Sequence, residues 1–128
     1  MNTKELINYF EKEYNKKINY FDYIEWQKIS MFNYLSEDFI EKYENKVSWL
    51  WISISQKLSE EFMEKYQNKL YWGWIPKCQK LSGEFIHKYK NKIDWGYISK
   101  QNKINYLKYQ VKNNIISNED YLKEILKI

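Results

Sequence analysis

Apolar positions along this chain recur mostly at the spacing of short helices. In residues 35–57, LSEDFIEKYENKVSWLWISISQK, Phe39, Ile40, Tyr43 and Val47 fall within one stripe of about 100° at helical pitch, a face that packs inward. Ser36 stands ahead of the acidic pair Glu37 and Asp38. A hydroxyl there accepts the free N–H groups of a helix start, and the acids suit its positive end. Leu35 precedes that cap and Ile40 follows at the spacing of a hydrophobic staple. Asn45 is placed to stop the helix in the left-handed conformation, which predicts a first helix of about ten residues.

The next run, KVSWLWISISQK, can be read two ways. A helix begun near Ser48 puts Trp49, Ile52 and Gln56 on one face and Trp51 on the other; a strand puts both tryptophans on the same side. Val, Trp and Ile favour the strand. The decision comes from the neighbouring copies, because the whole pattern repeats with a 23-residue period: LSEEFMEKYQNKLYWGWIPKCQK at 58–80 and LSGEFIHKYKNKIDWGYISKQNK at 81–103. These copies carry Gly73 or Gly96 mid-run, and one carries Pro76, which cannot donate to a sheet ladder. Pro76 fits the first turn of a helix begun late, near Trp74, just as a helix in the last copy would start near Asp94. Two short helices per repeat are therefore predicted, over the alternative of helix–strand repeats of leucine-rich-repeat type.

Ser59 and Ser82, Leu58 and Leu81, and Asn68 and Asn91 repeat the cap, staple and stop. Trp26, Trp49, Trp72 and Trp95 follow one another at the same period, so a degenerate copy precedes the first full one. The predicted architecture is all-α, a single-domain α-solenoid in which each helical pair buries its apolar face on its neighbours. Residues 1–34 supply an N-terminal helical cap and the degenerate repeat, and 35–57, 58–80 and 81–103 the full repeats. Residues 104–128 read as a helical hairpin, turning at Asn113 and Asn114 and restarting at an N-cap Ser117 with Asp120 behind it.

The pattern L-S-x-[ED]-F-[IM]-x-K-Y-x-N-K-x-x-W-x-x-I, carried by 24–103, resembles short tandem repeats of proteins from AT-rich bacteria, their phages and giant viruses. The segment 110–127, with VKNNIISNEDYLKEI, looks like the small helical hairpins that end many phage and prophage proteins. The resemblance implies an architecture. By analogy it also implies a phage-derived interaction protein that inhibits a host defence nuclease, as anti-CRISPR proteins do.

Composition narrows the chemistry. The 128 residues include 21 lysines, no arginine and no alanine, a bias that AT-rich codons explain. No apolar run is long enough to span a bilayer and the first residues lack a signal-peptide pattern, so a cytoplasmic location, in the host cell if phage-encoded, is expected. The lone Cys78 reads as a small buried hydrophobe and the lone His87, in the column of Glu41 and Glu64, as a solvated outer-face residue. With no metal-ligand cluster, no phosphate loop, and carboxylate pairs explained by helix starts, the chain is expected to be no enzyme and to need no cofactor or metal.

Two binding surfaces remain. Residues 1–64 hold 8 lysines against 12 acids, and 65–128 hold 13 against 5. Lys42 and Lys46, Lys65 and Lys69, and Lys88 and Lys92 recur as pairs four apart, a ladder suited to sequence-nonspecific nucleic acid or, in the plainer reading, a solvated flank. The column Lys28, Trp51, Trp74 and Tyr97 is predicted to face away from Trp49, either outward to a protein partner or onto the neighbouring repeat. The leading expectation is stoichiometric binding to a host protein or nucleoprotein complex. Nonspecific nucleic-acid binding and a purely structural or self-assembling role are the alternatives.

Overall fold

The computed structural model describes residues 1–32 and 34–128; Asn33, in the degenerate copy, lies outside them. Among the described residues the secondary structure is helical and contains no strand, so the helix–strand alternative is excluded. The chain divides into two compact units, Met1–Leu70 and Tyr71–Ile128.

The first unit contains α1 (Thr3–Tyr14), a 3-10 turn at Ile18–Tyr20, α2 (Tyr23–Phe32), α3 (Glu37–Lys42), α4 (Trp49–Ser55) and α5 (Glu60–Lys65). The second contains α6 (Ile75–Cys78), α7 (Gly83–Lys88), a 3-10 turn at Trp95–Tyr97, α8 (Lys100–Lys112) and α9 (Asn118–Ile125). Helix α1 opens on a capping box between Asn2 and Glu5 and closes on Asn15 in the left-handed region, burying Leu6 and Phe10. Asp22 and Glu25 satisfy each other's backbone N–H at the start of α2, at 2.8 and 3.0 Å.

The serine caps form as predicted. Ser36, Ser59 and Ser82 each accept the N–H of the phenylalanine three residues on, at 3.1 Å. The helices they open are six residues long instead of about ten. Asn45, Asn68 and Asn91 do not stop them: among the described non-glycine residues only Asn15 and Asn114 have positive φ. The reason is local. Tyr43 leaves the helical region at φ −111° and ψ 32°, and its carbonyl then accepts both Lys46 N–H at 2.8 Å and Val47 N–H at 3.0 Å. A turn satisfies the helix end, and no left-handed residue is required.

Each unit is built around aromatic clusters with one internal register. Trp26 packs on Phe39 and Tyr43, and Trp49 on Phe62 and Tyr66, in the first unit. Trp72 packs on Phe85 and Tyr89 in the second, at 6.1 and 5.2 Å between ring centroids. Large rings in tilted or offset contact contribute both area and geometric preference. Beneath them lie Ile29, Ile40, Ile52 and Met63 in one unit and Ile75, Leu81 and Ile86 in the other, all fully buried.

Buried amides tie the chain across these clusters. Leu35 N–H donates to Gln56 Oε1 at 2.9 Å, and Gln56 Nε2 donates to the Ser30 carbonyl at 3.0 Å. In the second unit Leu81 N–H donates to Asn102 Oδ1 at 2.9 Å, and Asn102 Nδ2 donates to the Pro76 and Gln79 carbonyls at 2.8 and 2.7 Å. The partners stand 21 and 26 residues back in both cases, so the same connection recurs in each unit.

The second helix of each repeat shortens along the chain. Helix α4 starts at Ser48 as predicted, with Ile52 buried on its inner face. Helix α6 is a single turn with Pro76 in its first positions, as the late start near Trp74 requires. In the last copy the helix expected near Asp94 is only a 3-10 turn; a new helix, capped by Ser99, begins at Lys100. The expected boundary near residue 104 is therefore moved into the repeat, and α8 runs across it. The turn at Asn113 and Asn114 and the Ser117 cap form as expected, with Asp120 N–H donating to Ser117 Oγ at 3.0 Å.

Two single residues differ from expectation. Cys78 is exposed, because the one-turn α6 ends there and turns Ile75 and Pro76 inward instead. His87 is half-buried: its Nδ1 is hydrogen-bonded to the Tyr106 hydroxyl at 3.1 Å and its ring lies 5.1 Å from that of Tyr109, since α8 packs on α7 at this place.

Candidate functional site

The lysines of the ladder lie on the aromatic clusters. Lys42, Lys65 and Lys88 place Nζ 5.9, 5.5 and 5.6 Å from the ring centroids of Tyr43, Tyr66 and Tyr89. Lys69 and Lys92 do the same over Trp49 and Trp72, at 5.7 and 5.6 Å. The spacing of four puts one lysine over the tyrosine and the next over the tryptophan of the same cluster, with a favourable cation–ring attraction at each. Lys46 is exposed.

In the first unit carboxylates meet Lys65 and Lys69. Lys65 pairs with Glu41, whose carboxyl is held below its usual range by that hydrogen bond and charge. Lys69 lies 3.5 Å from Glu44, whose other oxygen accepts the Tyr66 hydroxyl at 2.9 Å. Burial, then the Glu44 hydrogen bond, push the Tyr66 phenol well above its usual range. The ladder thus builds and neutralises part of the first unit's own surface.

The aromatic column divides. Trp51 is half-buried on α4 in the first unit. Trp74 and Tyr97 come together in the second, 39% and 59% exposed, on the walls of an open cleft of about 270 Å³ that Gly73 and Asp94 complete. The 3-10 turn Trp95–Tyr97 packs against α6, and Ser99 N–H donates to the Pro76 carbonyl at 3.0 Å, which brings the two segments to one cleft. Asp94 is held by its own turn, where Oδ1 accepts Gly96 N–H at 3.1 Å. Lys77 places Nζ 5.3 Å from the Trp74 ring centroid.

Sequence reading missed Gly73 and Asp94 as parts of this cleft and Lys77 as the cation over Trp74. The visible signal is the change from Leu50 to Gly73 and Gly96 in one column, which removes a side chain beside each outward aromatic. A Cβ added at Gly73 would meet nothing within 4 Å, so the cleft is open there. Tyr20, Tyr23, Ile24 and Tyr34, on and beside α2, are also exposed, which sequence reading missed.

Among the described residues no group of three His, Cys, Asp or Glu side chains is placed to hold a metal ion. No described helix is long and apolar enough to cross a membrane. No protein-family model, curated protein or solved structure matches the chain.

Proposed function

We propose that this chain is a non-enzymatic binding protein, built as an α-solenoid of 23-residue repeats, that acts stoichiometrically on a host protein or nucleoprotein complex. The phage-derived inhibitor of a host defence nuclease, anti-CRISPR-like and working in the host cytoplasm, is the specific form of this reading. It rests on the repeat and hairpin resemblance and remains an analogy of architecture. Support for the solenoid is the recurrence, within each unit, of one module: serine cap, aromatic cluster and buried amide at the same sequence offsets.

The observation that carries the binding function is the exposed pair Trp74 and Tyr97 on one cleft. Other aromatic residues are exposed as well, Tyr71 and Trp95 among them, but Trp74 and Tyr97 are the exposed rings that line one cleft, and large rings of that kind are the anchors that dominate interfaces. The test is capture from nuclease-treated bacterial lysate by wild type and by a Trp74→Ser, Tyr97→Ser variant with unchanged helical circular dichroism. A defined protein retained by wild type and lost by the folded variant supports the reading. Equal capture by both would place the contact elsewhere.

A further inference from the structure

We infer that the Trp74–Tyr97 cleft receives a base of single-stranded nucleic acid, with Lys77 at hand for the phosphate. The inference rests on the reading of this cleft as the contact surface and names the chemistry of its guest.

Three properties of the cleft decide between guests. It is lined by two exposed aromatic residues, Trp74 and Tyr97, and Gly73 in the same lining carries no side chain, so a flat ring system has room to lie against the rings. Base-on-aromatic stacking of this kind is tolerant of sequence because every base offers a face. Asp94 stands at the edge with Oδ1 turned to Gly96 N–H, leaving Oδ2 to accept an exocyclic amino group such as those of cytosine or adenine. A planar guanidinium would satisfy the same rings and carboxylate, and charge decides against it.

Lys77 already lays a cation over Trp74, and residues 71–128 carry 11 lysines against 5 acids. A cationic side chain entering here meets like charge, whereas a nucleotide brings a phosphate that Lys77 and the surrounding field attract. A preference for single strands follows, because a duplex keeps its base faces stacked on one another.

The test is fluorescence anisotropy of the full-length chain with a labelled single-stranded oligonucleotide of about a dozen nucleotides, beside the same sequence as a duplex. Binding to the single strand should be the tighter, and Tyr97→Ala should weaken it on the order of tenfold to a hundredfold. Gly73→Leu adds a side chain to the lining where the added Cβ meets nothing within 4 Å, so it blocks the cleft in a folded protein and should weaken binding comparably. Lys77→Gln should lower the salt slope by about one.

No binding overturns the inference. So does binding that prefers duplex or is indifferent to Gly73→Leu, which would be lysine–phosphate attraction alone. Capture of a protein from nuclease-treated lysate, lost on mutating the same rings, with no oligonucleotide binding, would overturn the inference while leaving the proposed function standing.

Discussion

A Cβ placed on Gly83 would lie 2.4 Å from the Cβ of Tyr109, and equally close to the carbonyl oxygen of Asn105. The third repeat has glycine where the first two have Glu37 and Glu60, and the reason is this approach of α8 onto α7. At the first of those positions the side chain has other work: Glu37 accepts the Ser59 N–H at 2.6 Å and its hydroxyl at 2.9 Å, reinforcing the cap of α5.

Restoring the consensus at this position should therefore be harmful. Gly83→Glu is expected to destabilise by about 3 kcal/mol, because backbone and Cβ block it on two sides and neither is the flexible end of a side chain. Gly73→Ala, where the new Cβ meets open space, should be neutral or stabilising by less than about 1 kcal/mol. Urea midpoints for the two variants check the contrast.

The amide of Asn102 is fully buried among the backbone groups it joins. Asn102→Leu should cost about 3 kcal/mol or more, since each orphaned buried group costs about 1–3 kcal/mol. Exchange of the Leu81 amide proton should accelerate with it, and an unchanged rate would show that the amide is dispensable.

Alkaline pH should loosen the first unit. The Tyr66 phenol is raised in the folded protein, mainly by burial, so its stabilising contribution is complete below the unfolded value of about 10 and declines as pH rises beyond it. Wild type should lose denaturation midpoint progressively above about pH 10, and Tyr66→Phe should flatten that loss. A slope unaltered by the substitution would assign the alkaline transition to Tyr14, Tyr43 or Tyr106, all of which are also raised.

Neutralising a ladder lysine should affect stability only slightly. Lys69→Met keeps the stem against Trp49 and removes the cation from the ring and from Glu44, for a loss of about 1 kcal/mol at this half-buried position. A double-mutant cycle with Trp49→Leu isolates the ring contribution.

Much of the local structure could be read directly from residue types. A serine with a staple leucine before it and acids after it, two behind Ser36 and Ser59 and one behind Ser82, marks a helix start, so all three caps are legible from spacing alone. The choice of helix for 49–55 came from Pro76 and the mid-run glycines of the other copies, because the Val, Trp and Ile of that stretch by themselves suit a strand. Helix length was less legible. Hydrophobic period continues past Tyr43, but the period only says which face is buried, and a turn from 43 to 47 buries Val47 as well as another helical turn would.

The binding surface was half visible. Trp74 and Tyr97 could be placed on an outward column by counting, yet the same count included Trp51, which is half-buried. That the first two share a cleft with Gly73 and Asp94 depends on the 3-10 turn lying against α6, a contact between segments some twenty residues apart. His87 and Cys78 were misjudged for a related reason: period assigns a face, whereas α8 covered the one and a one-turn helix exposed the other.

The sequence by itself determined the all-helical class, the 23-residue module and the caps that start its helices, because caps, proline and period act within a few residues of one another. Tertiary structure alone decided that Gly83 must be glycine, that five of the six ladder lysines lie over aromatic rings, and that two of the chain's exposed aromatics line one cleft. Each of those depends on which distant segment arrives beside a residue, and packing geometry sets that arrival.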